Sequence, residues 1–288
     1  MIERRIDLHT HTYYSDGRAS PAELVNYARQ IGVQFLAICD HDNARGVREA
    51  LPIAEKVGIQ LVPAVEFTTH WAACEMPPWE SDVDLLGYFI NPVSPGFLKI
   101  EEAALADFTS RMENWCAALT TAGWPISLEE VYEQNMRYPG TMQLIQAVAA
   151  KGYGGSLAEA EQIVRSQMKK LPRCSHSIEQ AIADIHSCGG VAVLAHPGTQ
   201  YLRWRGGLLS WKGLKLLVEA GLDGIEIYHH ILDEDAQMHF LRLARRNNLV
   251  VTGGSDEHGW PSGFPYLGSQ PVTYEMVSKL ADKAHVKL

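Results

Sequence analysis

The sequence predicts an α/β protein built on a parallel β-sheet that is either open or closed into a barrel. Segments of strand type alternate with segments of helical periodicity near both ends of the chain, which is typical of repeated βα units. The 288 residues are 46% apolar, enough to bury a sizeable core. A helical stretch separates the two alternating parts and indicates an inserted subdomain.

The N-terminal part contains the first four predicted strands. Ser20, Pro21 and Glu23 have the spacing of a capping box with proline at the first helical position, so a helix begins here. Apolar runs bounded by polar turns indicate the strands. We predict strands over residues 4–10, 33–39, 59–67 and 82–90, and helices over residues 20–31 and 45–57.

The C-terminal part repeats the alternation after the helical stretch, which is itself broken near Gly123, Gly140 and Gly152. We predict helices over residues 177–187, 208–219 and 233–247, and strands over residues 190–195, 223–228 and 249–253. The predicted organisation is a catalytic domain formed by residues 1–94 and 171–288, with residues 95–170 inserted as a helical subdomain.

Composition excludes several classes of protein. The five cysteines are widely spaced without a CxxC pair, which argues against a disulfide framework or a thiolate zinc site. With no signal-peptide core and no apolar run long enough to cross a bilayer, we expect a cytoplasmic protein that does not bind membranes. The net charge of −9 disfavours stable binding of nucleic acid but not of a small anionic substrate.

Imidazoles and carboxylates follow the predicted strands at the points where the strands end. His9 and His11 lie two residues apart, so their side chains share one face. Strand ends of a parallel sheet gather on one side, where active sites form. So many buried polar groups are costly unless they coordinate cations, and nitrogen and oxygen ligands without thiolate suit manganese, zinc or iron. The residues concerned are His9, His11, Asp16, His41, Glu66, His196, Asp256 and His258.

Each of these signals has a simpler explanation when it is taken alone. A strand-end histidine is often a surface residue, Asp40-His41-Asp42 resembles a helix N-cap, and His196-Pro197-Gly198 resembles a turn. All of these explanations would have to hold at five strand ends together. The sequence therefore favours a metal cluster.

The ordered motifs resemble those of the polymerase and histidinol phosphatase (PHP) family. They are HxH, Ser-Asp-Gly, Asp-His-Asp, Val-Glu, Ala-His-Pro-Gly, Gly-Ile-Glu and Gly-Ser-Asp-x-His, spread over residues 5–260. The most similar subgroup is the stand-alone phosphoesterases, some of which remove the 3′-phosphate of nucleoside 3′,5′-bisphosphates. The resemblance implies a distorted (β/α)7 TIM-like barrel with a helical insertion and two or three divalent metal ions.

The resemblance also implies the ligand sets. His9, His11, Glu66 and Asp256 would hold one metal, and Asp16, His41 and His258 a second. Glu66, as the bridging carboxylate, and His196 would contribute to a third position. Asp84 stands where the subgroup often has a further histidine ligand. We expect a metal-bound hydroxide as the nucleophile, positioned by Glu66 and Asp256, with His196 or His258 assisting proton transfer.

The substrate is less specified, because Gly140 and Thr199 stand where the subgroup has phosphate-binding residues. Candidate substrate contacts are Arg203, Arg205, His176, His229 and His230. We predict hydrolysis of a small phosphomonoester, nucleoside 3′,5′-bisphosphates included. The alternatives are a cyclic-phosphate or phosphodiester hydrolase acting also on short RNA ends, an amidohydrolase, and a non-catalytic metal-binding accessory module.

Overall fold

The structure is a computed structural model that describes residues 5–71, 82–168, 176–197, 211–259 and 266–288. Its strands are β1 Arg5–Asp7, β2 Val33–Ile38, β3 Gln60–His70, β4 Asp82–Tyr88, β5 Val191–Leu194, β6 Gly224–Tyr228 and β7 Val250–Gly253. Its helices are α1 Pro21–Gln30, α2 Arg45–Val57, α3 Pro95–Thr121, α4 Leu128–Tyr132, α5 Thr141–Ala150, α6 Leu157–Met168, α7 Ile178–Ser187, α8 Trp211–Glu219, α9 Glu234–Asn247 and α10 Tyr274–Lys283.

The strands form one sheet in sequence order, and the sheet curls until its two ends meet. Thr10 and Glu257 form a parallel bridge across the seam. The His11 amide donates to the Glu257 carbonyl and the Asp256 amide to the His9 carbonyl, both at 2.9 Å. This arrangement confirms the distorted, TIM-like barrel, and it brings the residues that follow β1 and β7 side by side.

The expectation of an all-parallel sheet is wrong for β4, which is antiparallel to both β3 and β5. Residues 71–81 connect β3 to β4, and this is shorter than the dozen or more residues of a parallel crossover. Asp84 therefore lies near the beginning of its strand, not at the end. The reversal still brings it to the mouth of the barrel, because it pairs with Thr68 of β3.

Alternation along the strands directs polar side chains into the barrel mouth. Ala64 and Leu86 belong to the apolar cluster that fills the barrel interior. Because successive side chains of a strand point to opposite faces, Glu66 and Asp84 share the interior face with Ala64 and Leu86. The sheet thereby delivers two carboxylates to the mouth above an apolar floor.

The helical stretch predicted over residues 95–170 contains α3 to α6. Ser94 caps α3 by accepting from the Phe97 amide, and Phe97 packs into the main core. Further along, Met112 of α3 packs with Leu144 and Val164 in a separate apolar cluster. A core of its own is what an inserted subdomain needs, although the exact domain boundaries stay a prediction.

Helix α10 is absent from the sequence-based expectation, although its signals are present. Thr273 caps it by accepting from the Met276 amide, and Val277, Leu280 and Ala281 recur at helical spacing on its buried face. Val277 and Leu280 join the apolar cluster inside the barrel. Within the described residues, no helix is long and apolar enough to cross a membrane.

Candidate metal centre

Four donor atoms from distant parts of the chain surround a common point in the mouth. The His9 Nε2 atom lies 3.1 Å from His11 Nε2, 3.2 Å from Glu66 Oε2 and 3.4 Å from Asp256 Oδ1. His11 Nε2 lies 3.2 Å from Glu66 Oε2 and 3.1 Å from Asp256 Oδ1. Donor atoms at about 2.1 Å from one cation lie about 3.0–3.4 Å apart in tetrahedral or octahedral geometry. These spacings fit a single transition-metal ion.

A second group lies beside the first and contains Asp16, His41 and His258, with His11 at its edge. His258 Nε2 is 3.1 Å from Asp16 Oδ1, and His41 Nε2 is 3.8 Å from Asp16 Oδ2. Among the described residues, His41 Nδ1 is buried without a hydrogen-bond partner, and Asp16 Oδ1 faces imidazole nitrogens of His258 and His11. A cation would satisfy both atoms.

A third group combines Glu66, Asp84 and His196. His196 Nε2 lies 3.1 Å from Glu66 Oε1 and 3.9 Å from Asp84 Oδ2. Glu66 thus turns one oxygen to the first group and the other to the third, as a bridging carboxylate would. His196 and Asp256 adopt positive φ angles of 25° and 55°, a strained backbone that is typical of functional sites.

The hydrogen bonds of the ring Nδ1 atoms leave the Nε2 atoms for a cation. The His9 Nδ1 atom is 3.1 Å from Glu226 Oε1, and His258 Nδ1 is 2.7 Å from the Asp256 carbonyl oxygen. An acceptor at Nδ1 places the ring proton there and the lone pair on Nε2. His11 Nδ1 lies 3.3 Å from Ser15 Oγ. These contacts orient the imidazoles as metal ligands usually are.

Glu226 has a function that the sequence did not reveal. Its run, Gly224-Ile225-Glu226, was among the motifs, but no role was attached to the carboxylate. The side chain is fully buried in the middle of β6, where Oε1 faces His9 Nδ1 and Oε2 accepts from the His196 amide. Glu226, His9 and His229 also form a candidate metal group. We interpret that group as a hydrogen-bonded support for the centre, because both Glu226 oxygens are already engaged.

Asp40 supports the loop that carries Asp16. Asp40 Oδ1 accepts from the Thr12 amide at 2.7 Å and from Ser15 Oγ at 2.8 Å, and Oδ2 accepts from Thr12 Oγ1 at 2.7 Å. Helix α2 instead begins after Ala44, with no side-chain cap. The N-cap explanation of the Asp40–Asp42 run is therefore wrong.

Charges in the mouth are strongly coupled. Burial alone would lower the pKa of His258, but the Asp16 carboxylate raises it to about 10. Burial would also lower the pKa values of His41 and His196. The Asp16 carboxylate instead raises the pKa of His41 to about 9, and the hydrogen bond to Glu66 raises the pKa of His196 to about 9. Burial would raise the pKa of Glu66, but the neighbouring imidazoles hold it well below its usual range. The metal-free centre thus keeps protons in places where cations would bind.

His229 and His230, the candidate substrate contacts after β6, lie at the edge of the centre. The Ile231 amide donates to His229 Nδ1 at 3.3 Å, so a neutral His229 carries its proton on Nε2. That Nε2 lies 3.4 Å from Asp256 Oδ2, which favours a role in holding Asp256. The exposed His230 ring stacks on Tyr266 with the ring centroids 5.7 Å apart. Substrate contact by either histidine stays a prediction.

The other candidate substrate contacts lie elsewhere. His176 is outside the three donor groups, and its Nε2 atom is 3.0 Å from Asp184 Oδ2. Arg203 and Arg205 lie outside the described residues, as does Thr199. The arrangement as a whole joins eight of the strand-end residues, and Asp84, at one barrel mouth.

A barrel with such a mouth defines a class: metal-dependent hydrolases. The model of the PHP domain family matches residues 7–186, and the chain belongs to this family. A phosphoribosyl 1,2-cyclic phosphate 1,2-diphosphodiesterase of Eggerthella lenta is 30% identical over 93% of this chain and 98% of its own length. A 3′,5′-nucleoside bisphosphate phosphatase of Chromobacterium violaceum is 30% identical over 91% of this chain and 90% of its own.

Solved structures agree with this assignment. A Bifidobacterium adolescentis protein described as a metal-dependent phosphoesterase superposes with a TM-score of 0.81 at 27% identity. The superposition covers 97% of this chain and 96% of that one. The family match and these relatives together identify the chain as a metal-dependent phosphoester hydrolase.

Proposed function

We propose that the mouth holds two or three divalent cations, manganese, zinc or iron, through the three donor groups. The main support for this proposal is the first donor group, in which His9 Nε2 and His11 Nε2 lie 3.1–3.4 Å from each other and from the facing oxygens of Glu66 and Asp256. Asp16, His41 and His258 would hold a second cation, and Glu66, Asp84 and His196 a third. Nitrogen and oxygen donors without thiolate suit these metals.

Bound cations would supply Lewis acidity that lowers the pKa of water and neutralises phosphate oxygens. The chain's own residues do the rest. Glu66 and Asp256 orient the attacking water through carboxylate oxygens that face the centre, and the proton that this water loses passes to bulk solvent. Glu226 holds the His9 ring through Nδ1, and His229 holds the outer oxygen of Asp256. His196 is placed to move a proton at the leaving oxygen whenever its Nε2 is not engaged by a cation.

We propose a small phosphomonoester as the substrate, a nucleoside 3′,5′-bisphosphate among the candidates. The relative from Chromobacterium violaceum, a 3′,5′-nucleoside bisphosphate phosphatase, supports this choice. The net charge of −9 disfavours long nucleic acids, whereas cations in the mouth would attract a small anion locally. The buried, unpaired thiols Cys39, Cys116 and Cys188 are compatible with a reducing, cytoplasmic location.

Hydrolysis of a cyclic phosphate is the second candidate. It is favoured by the relative from Eggerthella lenta, a phosphoribosyl 1,2-cyclic phosphate 1,2-diphosphodiesterase that matches nearly its whole length. Both reactions need the same cation centre, so the centre does not distinguish them. Three products would rank the candidates directly: inorganic phosphate from adenosine 3′,5′-bisphosphate, a ribose phosphomonoester from a ribose cyclic phosphate, and 5′-mononucleotides from a short 5′-phosphorylated RNA.

The test of the proposal is Glu66→Gln in protein reconstituted with manganese. Glu66 is 1% exposed and faces two donor groups, so the loss of its charge should reduce kcat at least about 10³-fold. Glu101→Gln is the matched control, because Glu101 is also a buried glutamate but bonds to Arg48 and the Ala44 amide. Retained turnover in Glu66→Gln, or no phosphate release by wild type from any ester, would refute the proposal.

A further inference from the structure

The inserted helical stretch contacts the loop that carries Asp16 of the second donor group. This loop, residues 12–19, contains turns but no helix or strand. It closes on itself, because the Tyr13 amide donates to the Ala19 carbonyl at 2.9 Å. A loop without regular structure takes its shape from the segments that bond to it. The position of Asp16 therefore depends on those contacts.

Asn135, between α4 and α5 of the insertion, reaches this loop with its side chain. Its Nδ2 donates to the Tyr13 carbonyl at 2.8 Å and to the Ser15 carbonyl at 3.0 Å. Its Oδ1 accepts from the Arg137 amide at 2.9 Å. A carbonyl only accepts and a backbone amide only donates, so these partners define which end of the side chain is the nitrogen. Both hydrogens of the Asn135 amide group thus bond to the loop.

The bond to Ser15 acts directly on the residue that follows it. The carbonyl of Ser15 and the amide of Asp16 belong to one planar peptide group. Asn135 therefore fixes the orientation of the peptide that leads into Asp16. In this orientation Asp16 Oδ1 lies 3.1 Å from His258 Nε2, and Oδ2 lies 3.8 Å from His41 Nε2. A rotation of the peptide would displace the carboxylate relative to both rings.

The segment of Asn135 is anchored in the core of the insertion. Val131 precedes it and Tyr138 follows it, and both are buried in the separate apolar cluster of α3 to α6. Arg137 adds a further contact with the loop, because its guanidinium carbon lies 4.0 Å from the centre of the Tyr13 ring. The amide of Asn135 thus extends from a fixed support towards the barrel.

A second asparagine joins the same loop to the segment that carries His41. Asn43 is fully buried, and its Nδ2 donates to the Tyr14 carbonyl at 2.9 Å and to the His41 carbonyl at 2.8 Å. Arg45 donates from Nε to Asn43 Oδ1 at 3.3 Å and from Nη2 to the Arg137 carbonyl at 3.2 Å. These bonds join the loop, the segment of His41 and the insertion into one hydrogen-bonded unit.

The first donor group is held from within the barrel. His9 Nδ1 faces Glu226 of β6 at 3.1 Å, and Asp256 Oδ2 lies 3.4 Å from His229 Nε2. We propose that Asn135 is a positioning residue, through which the insertion holds Asp16 in place for the second cation. The insertion thereby sets the affinity of the second cation site and not that of the first. This inference rests on the proposed function, which it deepens by assigning control of one cation to the inserted helices.

Manganese binding to chelator-treated protein tests the proposal, with the free ion measured by electron paramagnetic resonance. In Asn135→Ala the affinity of one site should fall at least about tenfold, because two hydrogen bonds to the loop are lost. That site should be the one that Asp16→Ala removes, and the other affinity should stay within about twofold. Asn135→Ser should lose the same affinity, since serine can accept from the Arg137 amide but is too short to bond both carbonyls.

The matched control is Asn247→Ala. Asn247 of α9 also donates from Nδ2 to a backbone carbonyl, that of Leu243 at 2.9 Å, and lies outside the donor groups. This variant should bind manganese as wild type does. Thermal unfolding of all variants is measured in parallel. A loss confined to one cation site in a folded variant distinguishes positioning from a general loss of stability.

Hydrogen exchange of the chelator-treated protein tests the contact without any cation. The Ser15 amide donates to the Thr12 carbonyl at 3.0 Å, and the Arg18 amide donates to the His258 carbonyl at 2.9 Å. In Asn135→Ala the exchange of these two amides should accelerate at least about tenfold, because the loop opens more often. Asn247→Ala should leave their exchange unchanged.

Unchanged loop exchange in Asn135→Ala would overturn the assignment. Equal weakening of all cation sites, or unchanged affinity of the site that Asp16→Ala removes, would also overturn it. If wild type binds manganese and hydrolyses phosphoesters while Asn135→Ala matches it throughout, only the role of Asn135 is refuted. If wild type binds no manganese, the proposed function fails, and loop exchange alone then supports or refutes the hold of Asn135 on the loop.

Discussion

Replacement of Glu226 by glutamine tests whether a residue that touches no proposed cation nevertheless controls the centre. Glu226 is fully buried, and its two carboxylate oxygens face His9 Nδ1 at 3.1 Å and the His196 amide at 2.9 Å. The His196 amide donates to Glu226, and His9 donates as well when its ring proton is on Nδ1. A glutamine has one amide oxygen, so in Glu226→Gln one of the two donors faces an N–H group instead.

The expected loss follows from these two bonds. If the amide oxygen stays with the His196 amide, the His9 ring loses the acceptor that holds its proton on Nδ1 and its lone pair on Nε2. Loss of such an outer carboxylate typically lowers metal affinity about 10–100-fold, or about 1.4–2.7 kcal/mol. Because His9 Nε2 faces Glu66 and Asp256, the first donor group should be the one affected.

The assay is competition for manganese or zinc between the protein and a chromogenic chelator at constant pH. Glu101→Gln is the control for the loss of a buried carboxylate, and its metal affinity should match wild type even if its thermal stability falls. Wild-type metal affinity in a folded Glu226→Gln variant would refute the reasoning, because the orientation of His9 would then not depend on Glu226.

Two further predictions concern the cations themselves. The raised pKa values of about 9, 9 and 10 for His41, His196 and His258 mean that these rings carry protons at pH 7 without metal. Because a cation must displace those protons, the apparent affinity for cations should rise from pH 6 to pH 8. Calorimetry in two buffers of different ionisation enthalpy should detect at least about one proton released per bound cation. Cation binding without proton release would contradict this prediction. In Asp84→Ala, elemental analysis should find fewer bound cations per chain than in wild type, and an unchanged number would remove Asp84 from the donor set.

The same pKa values predict how the stability of the metal-free protein depends on pH. A histidine whose pKa is higher in the folded than in the unfolded chain stabilises the fold fully below about pH 6.5. That contribution is lost as the pH rises towards the folded values of about 9 to 10 for His41 and His258. Chemical denaturation of chelator-treated protein at several pH values would measure this decline.

Residue type and position in the sequence were sufficient to predict which side chains meet at the mouth of the barrel. His9 and His11 follow β1 and His196 follows β5, as predicted, whereas Glu66 lies within β3, which continues to His70 and not to the predicted end at residue 67. Helix α2 occupies residues 45–57 as predicted, because its apolar periodicity and its left-handed glycine cap are local features. The parallel pairing of β1 with β2 and β3, and of β5 with β6 and β7, then brings these residues to the same mouth of the barrel.

Tertiary contacts decided what surrounds those donors. The direction of β4 depends on a connection too short for a crossover, so Asp84 enters the mouth from the beginning of a strand. Glu226 faces His9 across 217 positions of sequence, and His229 has its tautomer set by the Ile231 amide. Local sequence cannot encode the orientation of a ring that is set by a partner so far along the chain.

The residues that meet at the mouth were therefore predictable from the sequence, beginning with the weak signal of His9 and His11. The cavity of about 360 Å³ between α3 and α7 was not, because Asp42, Ala103 and His176, which line it, come from segments that meet only when α3 and α7 pack over β3. Coordination chemistry restricts metal ligands to a few residue types, which makes them recognisable in sequence. A cavity is the space that packed side chains leave, and only the folded chain determines that space.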